Sequence, residues 1–105
     1  MREYRKFYID GQWTDPAQSE TFEVVNPATE EVAGIVALGS AADVDKAVGA
    51  ARRAFPGWSG TSREQRLGVL RNILDLYQRR MGDLASALTE EMGAPKALAG
   101  GFQVN

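Results

Sequence analysis

Apolar residues recur at Leu67, Leu70, Ile73, Leu74, Tyr77, Met81, Leu84 and Leu88, in steps of three and four with one adjacent pair. This is the period of a single stripe along an α-helix. Charged residues such as Arg71, Asp75 and Arg79 take the remaining face. Thr61 with Glu64 makes a capping box that opens a helix over residues 61–81. Arg79-Arg80-Met81-Gly82-Asp83 has the chemistry of a helix end followed by a fresh acidic cap. A break is therefore predicted near Gly82, with a further helix over 83–92 stopped by Gly93 and Pro95. An amphipathic helix is stable mainly when its stripe is covered, so the segments before it are candidate covers.

Those segments are β-prone at first. Phe7-Tyr8-Ile9 and Gln12-Trp13-Thr14 flank Asp10-Gly11, the strongest short turn signal, and predict a hairpin pairing residues 6–9 with 12–15. Pro16 ends the second strand because it has no ladder N–H. Thr21-Phe22-Glu23-Val24-Val25 alternates and then turns apolar, Asn26-Pro27 punctuates it, and residues 32–38 resume. The expectation is a second antiparallel ribbon, with Gly34 marking a bulge or a close backbone approach. Ser40 with Asp43 approximates a capping box for a helix over 40–55. Its buried stripe is Val44, Ala47, Val48, Ala51, Ala54 and Phe55, with Arg52 and Arg53 in its last turn and Pro56-Gly57 as its stop. Trp58 falls in the following loop as a packing anchor. Residues 96–105 begin something helix-like. The fold class is α+β as it stands, two short antiparallel β-ribbons plus three to four helices. Two such ribbons are marginal alone, and the chain has the make-up of something built to pack on a larger body.

Composition narrows what it can do. The 105 residues are 44% hydrophobic and 25% charged, a globular balance. The net charge of −2 lacks the basic excess that a nucleic-acid or anionic-membrane partner needs. No apolar run reaches the roughly 18 residues of a membrane span, and Met-Arg-Glu-Tyr-Arg-Lys is not followed by a signal-peptide core. A cytoplasmic location is the default expectation. The chain has no Cys and no His. Thiolate chemistry, zinc–thiolate sites and imidazole base catalysis are thereby excluded within it. The carboxylate pairs Glu30/Glu31, Asp43/Asp45 and Glu90/Glu91 sit in a turn or point apart on helices, whereas acid–base work needs convergence. No phosphate-cradling glycine motif can be laid on the glycines; Gly57-Trp58-Ser59-Gly60 follows a helix rather than a strand.

Several motifs, in order, nonetheless resemble one family. Phe7-Tyr8-Ile9-Asp10-Gly11-Gln12-Trp13 is similar to the opening hairpin of NAD(P)-dependent aldehyde dehydrogenases. Val24-Val25-Asn26-Pro27-Ala28-Thr29-Glu30 resembles their N-P-A-T segment. Asp43-Val44-Asp45-Lys46-Ala47-Val48, Ala50-Ala51-Arg52-Arg53-Ala54-Phe55 and Trp58 resemble their first helix and its tryptophan. Arg66-Leu67 with Leu70 resembles their R-x-x-x-L helix, and Leu88-Thr89-Glu90-Glu91-Met92-Gly93-Ala94-Pro95 their L-x-x-E-x-G-K-P turn. Here Ala94 stands where Lys is common, with Lys96 two residues on.

The resemblance implies residues 1–105 as a partial N-terminal region of an α/β aldehyde dehydrogenase-like cofactor domain. The family oxidises aldehydes to carboxylic acids with NAD or NADP, using a Cys, a Glu and an Asn from later segments. None of these is carried over here, and Asn26 belongs to the turn motif. No catalytic residue, no cofactor-binding residue and no bound cofactor is therefore expected of these residues. Many relatives hold a monovalent cation through a carbonyl before the N-P turn and a carboxylate near the L-x-x-E-x-G turn. Those positions match Val25 and Glu91, with Glu91 where Asp is usual and a third ligand from beyond residue 105. The implied partners are the remainder of a dehydrogenase chain or a homo-oligomer partner. The alternative is a small stand-alone interaction module derived from the same fold. The ending at Val104-Asn105, with no helix stop, agrees with the first reading.

Overall fold

The computed structural model describes residues 1–105. Its elements are β1 (Arg2–Tyr4), β2 (Phe7–Ile9), β3 (Gln12–Thr14), β4 (Thr21–Val25), β5 (Val32–Ala37), α1 (Ala41–Ser59), α2 (Arg63–Arg79), α3 (Met81–Met92) and α4 (Lys96–Leu98). A π-helical turn over Ala99–Gln103 follows. The class is α+β. Two compact units result, Met1–Val24 with Val32–Gly60 and Val25–Glu31 with Thr61–Asn105.

In the first unit β2 and β3 pair in the predicted register, Phe7 opposite Thr14, Tyr8 opposite Trp13 and Ile9 opposite Gln12. Asp10 at φ 55° and Gly11 at φ 74° give both central turn residues the left-handed backbone of a type I′ turn, whose twist matches the strands. Tyr8 and Trp13 share one face, their rings 5.2 Å apart and inclined at 59°. The second ribbon is a three-stranded sheet in the order β1-β5-β4. β1 lies parallel to β5, with Arg2 opposite Gly34 and Tyr4 opposite Val36. This strand was not anticipated, because Arg2-Glu3-Tyr4 has no apolar alternation; it is an edge strand held by backbone pairing. Gly34 proves to be the close-approach case, since a Cβ there would lie 2.9 Å from the Arg2 carbonyl oxygen.

α1 starts at its predicted cap, where Ser40 and Asp43 complete a reciprocal capping box. It does not stop at residue 55. It runs through Pro56 to Ser59, so Trp58 is helical rather than in a loop, and Arg52 and Arg53 are no longer in the last turn. Pro56 lies inside the helix, where a proline removes the hydrogen bond that its N–H would give to the carbonyl four residues back, that of Arg52. Three residues of α1 follow it, and Ser59 Oγ donates to the Pro56 carbonyl at 3.1 Å.

In the second unit the box that opens α2 is shifted by one residue. Ser62 Oγ accepts from the Gln65 amide at 3.2 Å, and Gln65 Oε1 accepts from the Ser62 amide at 2.8 Å. Gln serves at this position as well as Glu, and Thr61 instead accepts from Arg66 Nε at 3.0 Å. The break falls at Arg80 rather than Gly82. The Arg80 amide reaches the Leu76 and Tyr77 carbonyls, and its own carbonyl accepts from Leu84 at 3.1 Å, leaving no loop between α2 and α3. Asp83 is not a cap; it pairs with Arg80 Nε at 3.2 Å. α3 ends at Gly93, which takes the left-handed cap conformation at φ 71°. Beyond it, Ala99 and Val104 are buried, and Tyr77 Oη donates to the Val104 carbonyl at 2.8 Å.

The buried apolar set is small: Ala50, Ala94, Ala99 and Val104, with no larger side chain fully enclosed. Along α2, Leu70 is 59% and Leu74 53% exposed.

Candidate functional site

The carboxylates that could carry chemistry are dispersed. Asp43, 7% exposed, accepts from the Ser40 and Ala17 amides, each at 2.9 Å, and from Ser40 Oγ at 3.0 Å. The Ser40 amide first, then that of Ala17, holds its carboxyl below the ordinary aspartate range. Asp43 thereby caps α1 and ties down the loop after β3, a structural role. Asp10 meets Arg53 at 3.4 Å and Asp15 meets Lys6 at 3.5 Å, both at the surface. No three residues among Asp, Glu, His and Cys gather as a metal-holding group.

The best-built locus is in the second unit, where the turn after β4 meets the end of α3. Asn26 Oδ1 accepts from the Ala28 amide at 2.9 Å, an Asx turn. The Asn26 amide donates to the Glu31 carbonyl at 2.9 Å and the Asn26 carbonyl accepts from Glu30 at 2.8 Å. This closes a six-residue turn that forces Glu30 to φ 59°, a left-handed conformation rare for a residue with a Cβ. The Pro27 ring seats against Gly93: a Cβ at residue 93 would lie 2.8 Å from Pro27 Cγ. The two sequence candidates flank this contact. Val25 is the last residue of β4 and Glu91 the penultimate residue of α3, each two residues from one of the contacting pair. Their segments meet where the Pro27 ring packs against Gly93. The sequence missed Glu30. Its signal was the spacing of the hairpin, since a turn of this length needs one left-handed residue.

In the first unit a shallow groove runs between Tyr8, Ile9 and Gly11 of the hairpin and Ala47, Ala51 and Ala54 of α1. Its one charged lining residue is Asp10, which pairs with Arg53. Trp13 and Tyr8 remain about two-thirds exposed, at 66% and 64%.

The model of the aldehyde dehydrogenase family matches residues 13–105. The chain belongs to the aldehyde dehydrogenase family. A curated family relative, 3-succinoylsemialdehyde-pyridine dehydrogenase of a Pseudomonas species, is 53% identical over 95 residues, covering 90% of this chain and 20% of that one. The crystal structure of an aldehyde dehydrogenase from Bartonella henselae superposes with a TM-score of 0.97 at 43% identity, over 99% of this chain and 22% of its own. An aldehyde dehydrogenase C mutant from Pseudomonas syringae, in complex with NAD+ and octanal, gives 0.93 at 55% identity, over 95% of this chain and 21% of its own. The chain thus spans about a fifth of the length of the dehydrogenases it matches, and in them this α+β region is one part of a larger fold. No helix in it is long and apolar enough to cross a membrane.

Proposed function

We propose that these residues serve as the N-terminal scaffold of an aldehyde dehydrogenase-like oxidoreductase that converts an aldehyde to a carboxylic acid with NAD+ or NADP+. In this reading they contribute helices and outlying strands, to be covered by the rest of the dehydrogenase and by a neighbouring subunit, and they work in the cytoplasm. They contribute no nucleophile, since this chemistry uses a thiolate and the chain has no Cys. The cofactor is held elsewhere, since the glycines here build no phosphate-cradling turn. The observation that carries the reading is the open apolar surface. Leu70, Ile73, Leu74 and Leu76 are each more than half exposed, and contiguous apolar surface on this scale marks an interface.

Beside Pro27 and Gly93, the Val25 carbonyl and the Glu91 carboxylate are proposed as two donors to a monovalent cation, completed by a ligand from outside these residues. The cation would brace the β4 turn against the end of α3.

The test is a chimera in which residues 1–105 replace the corresponding fifth of the Pseudomonas relative. Aldehyde-dependent NAD(P)H formation within tenfold of the parent supports the scaffold reading. A soluble, well-folded chimera with no activity, beside an active parent, sinks it. The 105-residue chain assayed alone is expected to form no NAD(P)H.

A further inference from the structure

Asp10 is the only aspartate followed by a glycine, and neither Asn26 nor Asn72 precedes one. The Asp10-Gly11 pair is the whole tip of the hairpin between β2 and β3. A glycine after an aspartate puts no side chain beside the next main-chain nitrogen. That nitrogen can then close on the carboxyl carbon as a five-membered ring.

The tip leaves this approach open. The Asp10 side chain is 67% exposed, and Arg53 Nη2 meets it at 3.4 Å, a surface pair of little strength. The ladder ends at the Ile9–Gln12 pair, and the Gly11 amide donates to no acceptor. No heavy atom lies within 4 Å of where a Gly11 Cβ would sit, so the peptide between the two residues has room to rotate. Asp10 is itself held at φ 55°, a backbone conformation unfavourable to a residue with a Cβ, so the tip gives up little by rearranging. Asp43 is the contrast. Its carboxylate is buried and bonded to Ser40 and Ala17, and the amide that follows it, that of Val44, is tied to the Ser40 carbonyl at 3.1 Å.

We propose that Asp10-Gly11 is a self-modification site, where the folded chain converts aspartate to isoaspartate through a succinimide. The Gly11 nitrogen attacks Asp10 Cγ. The N–Cγ bond forms, the carboxyl C–OH bond breaks, and the amide proton leaves with that hydroxyl as one water. Water then adds to the ring. Opening at Cγ restores aspartate. Opening at the Asp10 main-chain carbonyl leaves the chain running through Cβ and Cγ, one methylene longer, with the carboxylate now on the main-chain carbon. Only water leaves and enters. The longer chain no longer fits a two-residue type I′ turn, so the Ile9–Gln12 pairing and the Arg53 contact are lost together.

The chain, its helical dichroism confirmed, is held for weeks in mildly acid buffer beside a sample unfolded in urea. The tryptic peptide of residues 7–46 is then sequenced by electron-transfer fragmentation, which separates isoaspartate from aspartate. Isoaspartate at residue 10 of the folded chain should reach at least a tenth of its level in the unfolded one. It should exceed the level at every other aspartate at least tenfold, with a precursor peptide lighter by one water. Asp10→Asn keeps the turn preference and should quicken the reaction at least tenfold, ammonia leaving in place of water. Asp10→Glu, whose ring would be six-membered, should abolish it. A folded-state level below a tenth of the unfolded one overturns the proposal, because the turn then shields the site. Total isoaspartate as high in Asp10→Glu as in the wild type also overturns it, because the reaction then lies at another residue.

Discussion

Gly93 and Pro27 meet so closely that a Cβ on the glycine would lie 2.8 Å from Pro27 Cγ. Two constraints coincide at one residue. The helix cap needs φ 71° there, and the proline ring, which cannot swing aside, fills the space a side chain would take. Gly93→Ala should therefore destabilise the second unit by more than the about 1–2 kcal/mol of a left-handed alanine alone. Urea unfolding followed by far-ultraviolet dichroism measures this. Combining Gly93→Ala with Pro27→Ala should recover the steric part and leave the backbone part. Strictly additive losses would show that the contact contributes nothing.

Glu30 is the converse case, a residue with a Cβ held at φ 59° by the turn's own hydrogen bonds. Glu30→Gly removes the strain and should stabilise the unit by about 1 kcal/mol. Glu30→Ala keeps the Cβ and should give no gain. An equal gain from both would trace the effect to the lost charge instead.

Glu30 marks where the sequence stopped being legible, whereas Gly93 was read correctly as a helix stop. Asp10-Gly11 named its turn type because both residues are common with positive φ, whereas Glu30 occupies a glycine's conformation without a glycine's signature. The apolar period placed the helices, but their ends depended on single hydrogen bonds. Ser62 outcompeted Thr61 for the cap, Arg80 took the break from Gly82, and Pro56 was carried inside α1 instead of stopping it. β1 was illegible because Arg2-Glu3-Tyr4 shows no apolar alternation, and its pairing with β5 is a backbone matter. The family was legible in motif order alone. Val25 and Glu91, as a possible cation pair, came from that resemblance and from no property of the residues themselves.

Asp43 links pH to the stability of the first unit. The Ser40 and Ala17 amides favour its charged form, so its carboxyl is lowered from the ordinary value of 3.8. The unfolded chain therefore takes up the proton first as pH falls. The stabilisation is complete above the ordinary value and is lost progressively as pH drops through the lower, folded value. Asp43→Asn should lower the urea midpoint at neutral pH by an amount that is constant from mildly acid to neutral conditions and shrinks below about pH 4. A difference between wild type and variant that grows on acidification would contradict this assignment.

If Val25 and Glu91 hold a cation in the chimeric enzyme, potassium or sodium should raise its melting temperature relative to a bulky organic cation at equal ionic strength, because binding to the folded state alone adds stability. Glu91→Ala should abolish that ion-specific increment, and Glu91→Asp should retain it. An increment of the same size in all three proteins would assign the ion to another place.

Tyr77 joins the middle of the second unit to its last residues. Its hydroxyl donates to the Val104 carbonyl at 2.8 Å, and Val104 is only 4% exposed. Tyr77→Phe keeps the ring and removes one neutral hydrogen bond, a loss of about 1 kcal/mol. The acceptor is a backbone carbonyl in a buried segment, so the effect should be local. Amide exchange after Ala99 should quicken several-fold while exchange within α2 stays unchanged. If both segments quicken together, Tyr77 supports the unit as a whole, and the turn over Ala99–Gln103 owes its order to the burial of Ala99 and Val104 instead of to this bond.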